Sequence, residues 1–313
     1  MFRMQIQSKK KCIWYCSAAV SFLLFLLLNL WCDHLVNMQD AQQMAGRWSE
    51  KKDVAQISCF FSSKAEVTED TIQSFEYSLK NVLQEASITE TSENPSARLW
   101  VDAYSADGKI TLVNGKNTLD ANAIGIGGDF FLFHPLKLIT GSYFSGNDLM
   151  QDYCIIDQDA AWQLFGSNDV VGMTVYIGNV PHIVTGVVRR PQGRMEKAAG
   201  LTSTVVYVSY ETLETYGTSN GINHYEIVMP NPVDEFAYGK VKEGIGIDEK
   251  NVEIVENSRR YSLPNRIKTI FSFGTRSMNG KAIIYPYWEN LARGYEDIIA
   301  FLTVFMLLLL LYP

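Results

Sequence analysis

Residues 128–188 read GDFFLFHPLKLITGSYFSGNDLMQDYCIIDQDAAWQLFGSNDVVGMTVYIGNVPHIVTGVV, and the spacing of their turn-forming residues decides the fold. Gly128 to His134 reads as a short aromatic helix or turn. Cys154 to Asp157 is a brief strand. Asp157 is placed to cap a helix running through Phe165, and Gly166 stands where a left-handed residue ends a helix. Val175–Ile177 and His182–Val188 then pair as a hairpin around Gly178-Asn179, with Gly172 and Gly186 at turns or bulges of a tight strand cluster. Strand, capped helix and hairpin follow one another too closely for an all-helical or all-strand domain.

The pattern extends in both directions. Upstream, residues 33–52 read as a helical stalk and Val54–Phe61 as a strand. Ile72, Phe75, Leu79, Val82, Leu83 and Ala86 recur at helical spacing over Thr71–Ala86, with Thr68 as the N-cap. Arg98–Tyr104 alternates like a half-buried strand. Asp107-Gly108 and Asn114-Gly115 read as hairpin turns flanking a short strand, Lys109–Val113. Downstream come a strand at Thr204–Val208, a short helix at Tyr210–Tyr216, and strands at Tyr225–Met229 and Val252–Val255 around a helix near Val233–Lys242. A further helix starts near Ser258, with Tyr285-Pro286-Tyr287-Trp288 expected at a membrane surface. The fold class is α+β, a domain of two mixed subdomains.

The two ends differ from this middle. Met1–Lys11 carries Arg3, Lys9, Lys10 and Lys11 with no acidic residue, and CIWYCSAAVSFLLFLLLNLWC, 12–32, carries no charge. A helix of that length spans roughly 30 Å, the thickness of a bilayer's hydrocarbon core. Leu30-Trp31-Cys32-Asp33 offers no small-residue cleavage site, so the run is read as an uncleaved anchor rather than a signal peptide. The basic flank stays in the cytoplasm, which puts everything after Asp33 outside. A second uncharged run, IIAFLTVFMLLLLLY, begins at Ile298 and continues to the last residues. The expected layout is therefore a cytoplasmic segment 1–11, a first span 12–32, an extracytoplasmic domain 33–297 and the start of a second span 298–313. Because the sequence stops inside that second run, a fragment or a chain with further spans is expected.

The formal charge of −7 in 313 residues argues against a nucleic-acid binder, which needs a cationic surface. Catalytic signatures are missing as well. Gly125-Ile126-Gly127-Gly128-Asp129-Phe130 has Phe at the third glycine of a dinucleotide motif. Gly141–Gly146 has the glycine spacing of a phosphate loop, but Asn147-Asp148 follows where Lys and Ser/Thr belong. Asp157 and Asp159 read as helix capping, and Asp102 and Asp107 fail the calcium-loop pattern because Tyr104 and Ala106 replace oxygen ligands. No CxxC, HExxH or His-x-His spacing points to a metal. His34, His134, His182 and His224 are scattered and read as surface or capping residues. No catalytic, cofactor or metal residue is therefore named. Cys59 and Cys154 are the two cysteines outside the first span, and their pairing is left open. Phe130, Phe131 and Phe133 are read first as core and second as an exposed partner site. The acid-free stretch Ser258–Lys281, with Arg259, Arg260, Arg266, Lys268, Arg276 and Lys281, is read as a solvated basic helix or as a surface for anionic headgroups.

The opening stretch resembles the periplasmic core domain of MacB-like, FtsX-type ABC transporter permeases. The residues that carry the resemblance are Phe130/Phe131, Leu138, Gly141, Phe144, Asp148, Ile155-Ile156, Ala160, Leu164-Phe165-Gly166, Val171-Gly172 and Val184-Thr185-Gly186-Val187. Ser142 departs from the arginine common at that point in the family. The resemblance implies a non-catalytic permease subunit that couples ATP-driven helix motion to an extracytoplasmic task such as export. It implies a cytoplasmic ABC ATPase as partner, contact with membrane lipid, a homo- or heterodimer with another permease, and no bound cofactor. A two-span sensor or an anchored binding module remains the alternative.

Overall fold

The computed structural model describes residues 2–51, 53–89, 97–273, 275–276 and 280–311, with side chains from residue 14 onward. The side chains of the basic cluster Arg3, Lys9, Lys10 and Lys11, and residues Met1, Lys52, Tyr312 and Pro313, lie outside it.

Along the chain, helix α1 (Phe2–Asn37) is followed by α2 (Met44–Trp48), strand β1 (Val54–Phe61) and α3 (Glu69–Glu85). A long ribbon comes next, β2 (Val101–Asn114) and β3 (Asn117–Gly128), then α4 (Phe130–Phe133) and β4 (Leu138–Gly141). The opening stretch of the sequence continues as β5 (Tyr153–Asp157), α5 (Gln158–Phe165), β6 (Thr174–Ile177) and β7 (Val180–Val188). After α6 (Arg194–Ala198) come β8 (Val205–Ser209), α7 (Tyr210–Tyr216), β9 (Thr218–Ser219), β10 (His224–Pro230), α8 (Phe236–Gly244) and β11 (Val252–Glu256). Helices α9 (Leu263–Ser272) and α10 (Tyr287–Leu311) complete the order.

Local chemistry places these elements where the sequence put them. Asp157 Oδ1 accepts from the Ala160 N–H at 2.9 Å, and Gly166 takes φ 72° at the far end of α5. An L-residue with a β-carbon adopts that conformation only at a cost, which is why glycine ends the helix there. Gly178 and Asn179 turn β6 into β7, and the ladder shifts register where Cys154 faces Val184 but Ile155 faces Gly186, a bulge at the expected glycine. Thr68 is the N-cap of α3, whose buried Ile72, Phe75, Leu79 and Leu83 form the stripe expected from their spacing. Full burial of each such side chain contributes about 1.5–3 kcal/mol.

One turn is absent. Asp107-Gly108 lies inside β2, which runs unbroken to Asn114, and the ribbon turns instead at Gly115-Lys116. A β-carbon on Gly108 would lie 2.4 Å from the Thr218 carbonyl of β9, which pairs at this point. Gly108 is thus required by a close approach of distant backbone, not by a reversal of its own.

The described residues form two compact units. The larger, Asp40–Ser258 with 279–291, contains the mixed sheet in the order β11-β1-β10-β2-β3-β8-β5-β7-β4. The pairs β3–β8 and β5–β7 are parallel and the others antiparallel. Strand β6 pairs with both β7 and β2, so β2, β3, β8, β5, β7 and β6 close into a hydrogen-bonded ring. The β2–β6 closure rests on two residue pairs, Leu112 with Ile177 and Val113 with Tyr176. Successive residues face two different cores. Ile57, Cys59, Cys154, Ile156, Val206, Val208, Tyr225 and Ile227 join one core with α3, α5, α7 and α8. Ile155, Val205, Tyr207 and Val228 join the other with Phe130, Phe131, Phe133, Phe144 and Trp288. A strand buried on both faces loses its polar alternation.

The smaller unit comprises Met1–Gln39, Arg259–Met278 and Ala292–Pro313. It holds two helical stretches long and apolar enough to cross a membrane, within Trp14–Asn37 and Tyr287–Leu311, the second beginning in the larger unit. Cys32, Ile299 and Met306 are buried against Phe25, Leu28, Leu35 and Leu302.

Tyr225 donates to Asp102 Oδ2 at 2.9 Å, and the Glu76 carboxyl of α3 shares a hydrogen bond with Asp102. Burial, then the charge of Asp102 and that shared bond, push Glu76 up to about 8 from its ordinary 4.5. Between those values the native chain holds a proton that the unfolded chain has released, so stability falls as pH rises through that window. The unfolding midpoint of the full chain in detergent should drop from about pH 5 to about pH 9, and Glu76→Gln should flatten the curve. An unaltered slope in the variant would remove Glu76 as the source.

Candidate functional site

Strand β10 offers His224 and Glu226 two residues apart, hence on one face of the sheet. That face is covered by α4 and by Trp288 in the first turn of α10, both in the second core. The β1–β10 register sets Ser58 opposite Glu226 and Phe60 opposite His224, while the β10–β2 register sets Ser105 opposite His224. His134, at the end of α4, enters from outside the sheet. His134, His224 and Glu226 are 5%, 1% and 1% exposed. Three of the four histidines expected at the surface are buried, His182 being the third, because register and the α4 turn carry them inward.

The polar contacts are specific. His134 Nε2 lies 2.7 Å from Glu226 Oε2, and His224 Nε2 lies 3.6 Å from Glu226 Oε1. Ser58 Oγ donates to Glu226 Oε1 at 2.6 Å and accepts from Asn257 Nδ2 at 2.7 Å. Ser105 Oγ lies 3.3 Å from His224 Nδ1. Gln56, fully buried, accepts from the Met44 N–H and donates to the Ala41 carbonyl. Aromatic rings close the rest: Trp288 lies 4.3 Å from His134 and 5.3 Å from His224, Phe130 lies 4.6 Å from His134, and Phe60 stacks on His224 at 5.0 Å. Trp288, expected at a membrane surface, is instead packed in the domain. Burial acts to raise the Glu226 carboxyl, but the two imidazoles outweigh it and hold Glu226 far below the carboxylate range. Burial also lowers His134 below the ordinary histidine value, against the pull of Glu226.

The residues singled out from sequence fall elsewhere. Phe130, Phe131 and Phe133 are core, not a partner surface. Gly125, Gly127 and Gly128 lie in β3, where the Tyr104 ring occupies the space of a Gly127 side chain. Asp157 and Asp159 bind Arg190 at 2.6 and 2.5 Å, so the shallow cavity of about 420 Å³ beside Lys137, Arg189 and Arg190 draws on an arginine already paired. Cys59 and Cys154 are free and fully buried, and burial pushes the Cys154 thiol up to about 12. The basic stretch after Ser258 is partly neutralised within the chain: Arg260 binds Glu296 at 2.5 Å, and Arg276 binds Glu296 and Asp297. The His/Glu cluster was missed because His134 is remote in sequence. The available signal was His224-x-Glu226, two ionisable side chains on one face of an otherwise apolar strand.

Fold and flanking helices define the class, a mixed α+β domain between two helices long and apolar enough to span a membrane. The chain belongs to the MacB-like periplasmic core domain family, which it matches over residues 38–254. It is 31% identical over 83 residues to the macrolide export ATP-binding/permease protein MacB of Pasteurella multocida, covering 26% of this chain and 13% of that protein. Over 96 residues it is 31% identical to the protein of the same description from Chromobacterium violaceum, covering 30% and 14%. These alignments span less than a fifth of either relative's length. The solved periplasmic region of MacB from Actinobacillus actinomycetemcomitans superposes with a TM-score of 0.43 and 20% identity, covering 69% of this chain and 92% of its own.

Removing the Ser58 hydroxyl takes a hydrogen bond from a buried carboxylate, a change that costs about 1.5–3 kcal/mol for a charged acceptor. Ser58→Ala should lower the urea midpoint of the full chain in detergent accordingly. Thr111→Ala, at an exposed hydroxyl bonded to Asp120, should shift it by about 0.5 kcal/mol or less. Equal shifts in the two variants would show that the Ser58 bond contributes nothing special.

Proposed function

We propose that this chain is the membrane permease subunit of a MacB/FtsX-type ABC system, or the part of it that holds the outer domain. The supporting observation is a MacB-like periplasmic core domain lying between two candidate spanning helices. In this reading 1–11 is cytoplasmic, 12–32 and 298–313 lie in the membrane, and 33–297 is extracytoplasmic, an orientation supported by the basic N-terminal flank. ATP hydrolysis belongs to a cytoplasmic ATPase. This chain supplies no catalytic group and passes helix motion to its outer domain, in a dimer with a like permease.

Lipid contact has its own support in α9. Leu263, Ile267 and Phe271 recur at helical spacing and are 58%, 36% and 87% exposed, while Lys268 lies among them. An exposed apolar stripe with a nearby cation suits the interfacial zone of a bilayer.

Lys116 is exposed at the tip of the β2–β3 ribbon, and the native cysteines of the domain are buried. Lys116→Cys should react with a membrane-impermeant maleimide in intact cells. Reaction only after lysis would reverse the orientation. The tagged chain, extracted in mild detergent from its own host, should also bring down an ATPase bearing a GxxxxGK[ST] loop. A kinase in its place, with no ATPase, would favour the sensor reading.

A further inference from the structure

We propose that His134, His224 and Glu226 form a zinc-binding site inside the domain. The three side chains present two imidazole nitrogens and a carboxylate whose ligand atoms all lie within 4.8 Å of one another. Ligands at about 2.0–2.1 Å around a tetrahedral zinc stand roughly 3.3 Å apart. The separations here, 2.7 Å from His134 Nε2 to Glu226 Oε2 and 3.6 Å from His224 Nε2 to the other oxygen of the same carboxylate, Oε1, bracket that spacing. Small side-chain rotations would therefore suffice to seat the ion.

The buried atoms themselves point to a ligand. His134 Nε2, His224 Nε2 and Glu226 Oε2 are each buried without a well-aligned hydrogen bond, the 2.7 Å approach of the first to the third being off line. Native structures rarely leave three such atoms converging on one another. Among the described residues, the only basic groups at ion-pair distance from Glu226 are these two histidines. Arg47 gives its guanidinium to the Asp40 and Leu132 carbonyls instead. A divalent cation would satisfy all three atoms at once and compensate the buried carboxylate.

The surroundings resemble those that hold metal ligands in place. Ser105 Oγ, 3.3 Å from His224 Nδ1, can accept from an Nδ1–H, which is the tautomer that leaves Nε2 free for an ion, and Ser58 fixes the carboxylate through its other oxygen, Oε1. Two imidazoles and one carboxylate are a donor set that zinc accepts, with a fourth position left for water. Trp288, Phe60 and Phe130 wall the site with apolar surface. The ion would tie β10 to the end of α4 beneath the first turn of α10.

The test uses the full chain, expressed in zinc-supplemented medium, purified in detergent and dialysed. Mass spectrometry should find about one tightly held zinc per chain. X-ray absorption at the zinc edge should show imidazole scattering with nitrogen and oxygen neighbours at about 2.0–2.1 Å. A metal-free protein would mean that the three residues are an ion-pair network only. Sulfur neighbours at about 2.3 Å would place the zinc on cysteine, and either result overturns the proposal. Ser105→Ala keeps all three donors and should weaken zinc about 10-fold in competition with a chelating dye. Unchanged affinity in that variant also counts against the site. Because the absorption spectrum is read on the unmodified chain, the test does not depend on His224→Gln or Glu226→Gln folding.

Discussion

Glu226 is a carboxylate placed in a sheet that is covered on both faces, and the polar design of the domain follows from that placement. A strand with two buried faces has no solvent side on which to leave a charge. The charge must be met by neighbours at positions fixed by the ladder, since a one-residue slip would send every side chain to the opposite core. Ser58 and Ser105 meet these needs from the strands on either side, in the residue pairs that face Glu226 and His224. Asn257 and Gln56 extend the network to the ends of the domain, bonding Ser58 on one side and the backbone of Met44 and Ala41 on the other. Sequence separations of 168 and 199 residues are bridged in two successive hydrogen bonds.

The same two-faced burial explains the apolar cores. Cys154 and Ile156 go one way and Ile155 the other, and Val206 and Val208 part from Tyr207 in the same manner. Neither cysteine is near the surface, and their thiols behave as small apolar groups. The aromatic group of α4 packs across the second core and carries His134 inward at its end. The run of phenylalanines read second as a partner site thus positions a polar residue instead.

What was legible in the sequence is what is settled locally. The Asp157 cap, Gly166, the Gly178-Asn179 turn and the apolar stripe of α3 each follow from residues within a turn or two of one another. The MacB-like pattern was legible for the same reason, because its marks are caps, bulges and turn glycines. What could not be read depends on distant backbone. Asp107-Gly108 has the chemistry of a turn, yet the strand continues because Thr218 approaches so closely that no side chain fits. Histidines placed by spacing alone read as surface residues, because nothing near His134 announces that β10 will lie beside it. Trp288 could be assigned to a membrane surface by its neighbours Tyr285 and Tyr287, whereas it packs on Phe130 in α4, His134 at the end of that helix and His224 in β10.

The closing of the strand ring at β2 and β6 is a seam of unequal strength. Twelve residue pairs join β2 to β3, from Ala103 to Asn114, but only two, at Leu112 and Val113, join its other edge to β6. Of the ladders in the ring this one has the fewest residue pairs to break, and the side chains of Leu112 and Ile177 on it are fully buried in the first core. Transient unzipping at Leu112–Ile177 would convert the ring into an open sheet while every other ladder stayed intact. Amide protons on the two sides of that seam would then exchange with solvent ahead of those in the ribbon. The domain would possess two shapes, one closed and one with a free edge, separated by the breaking of a single short pairing.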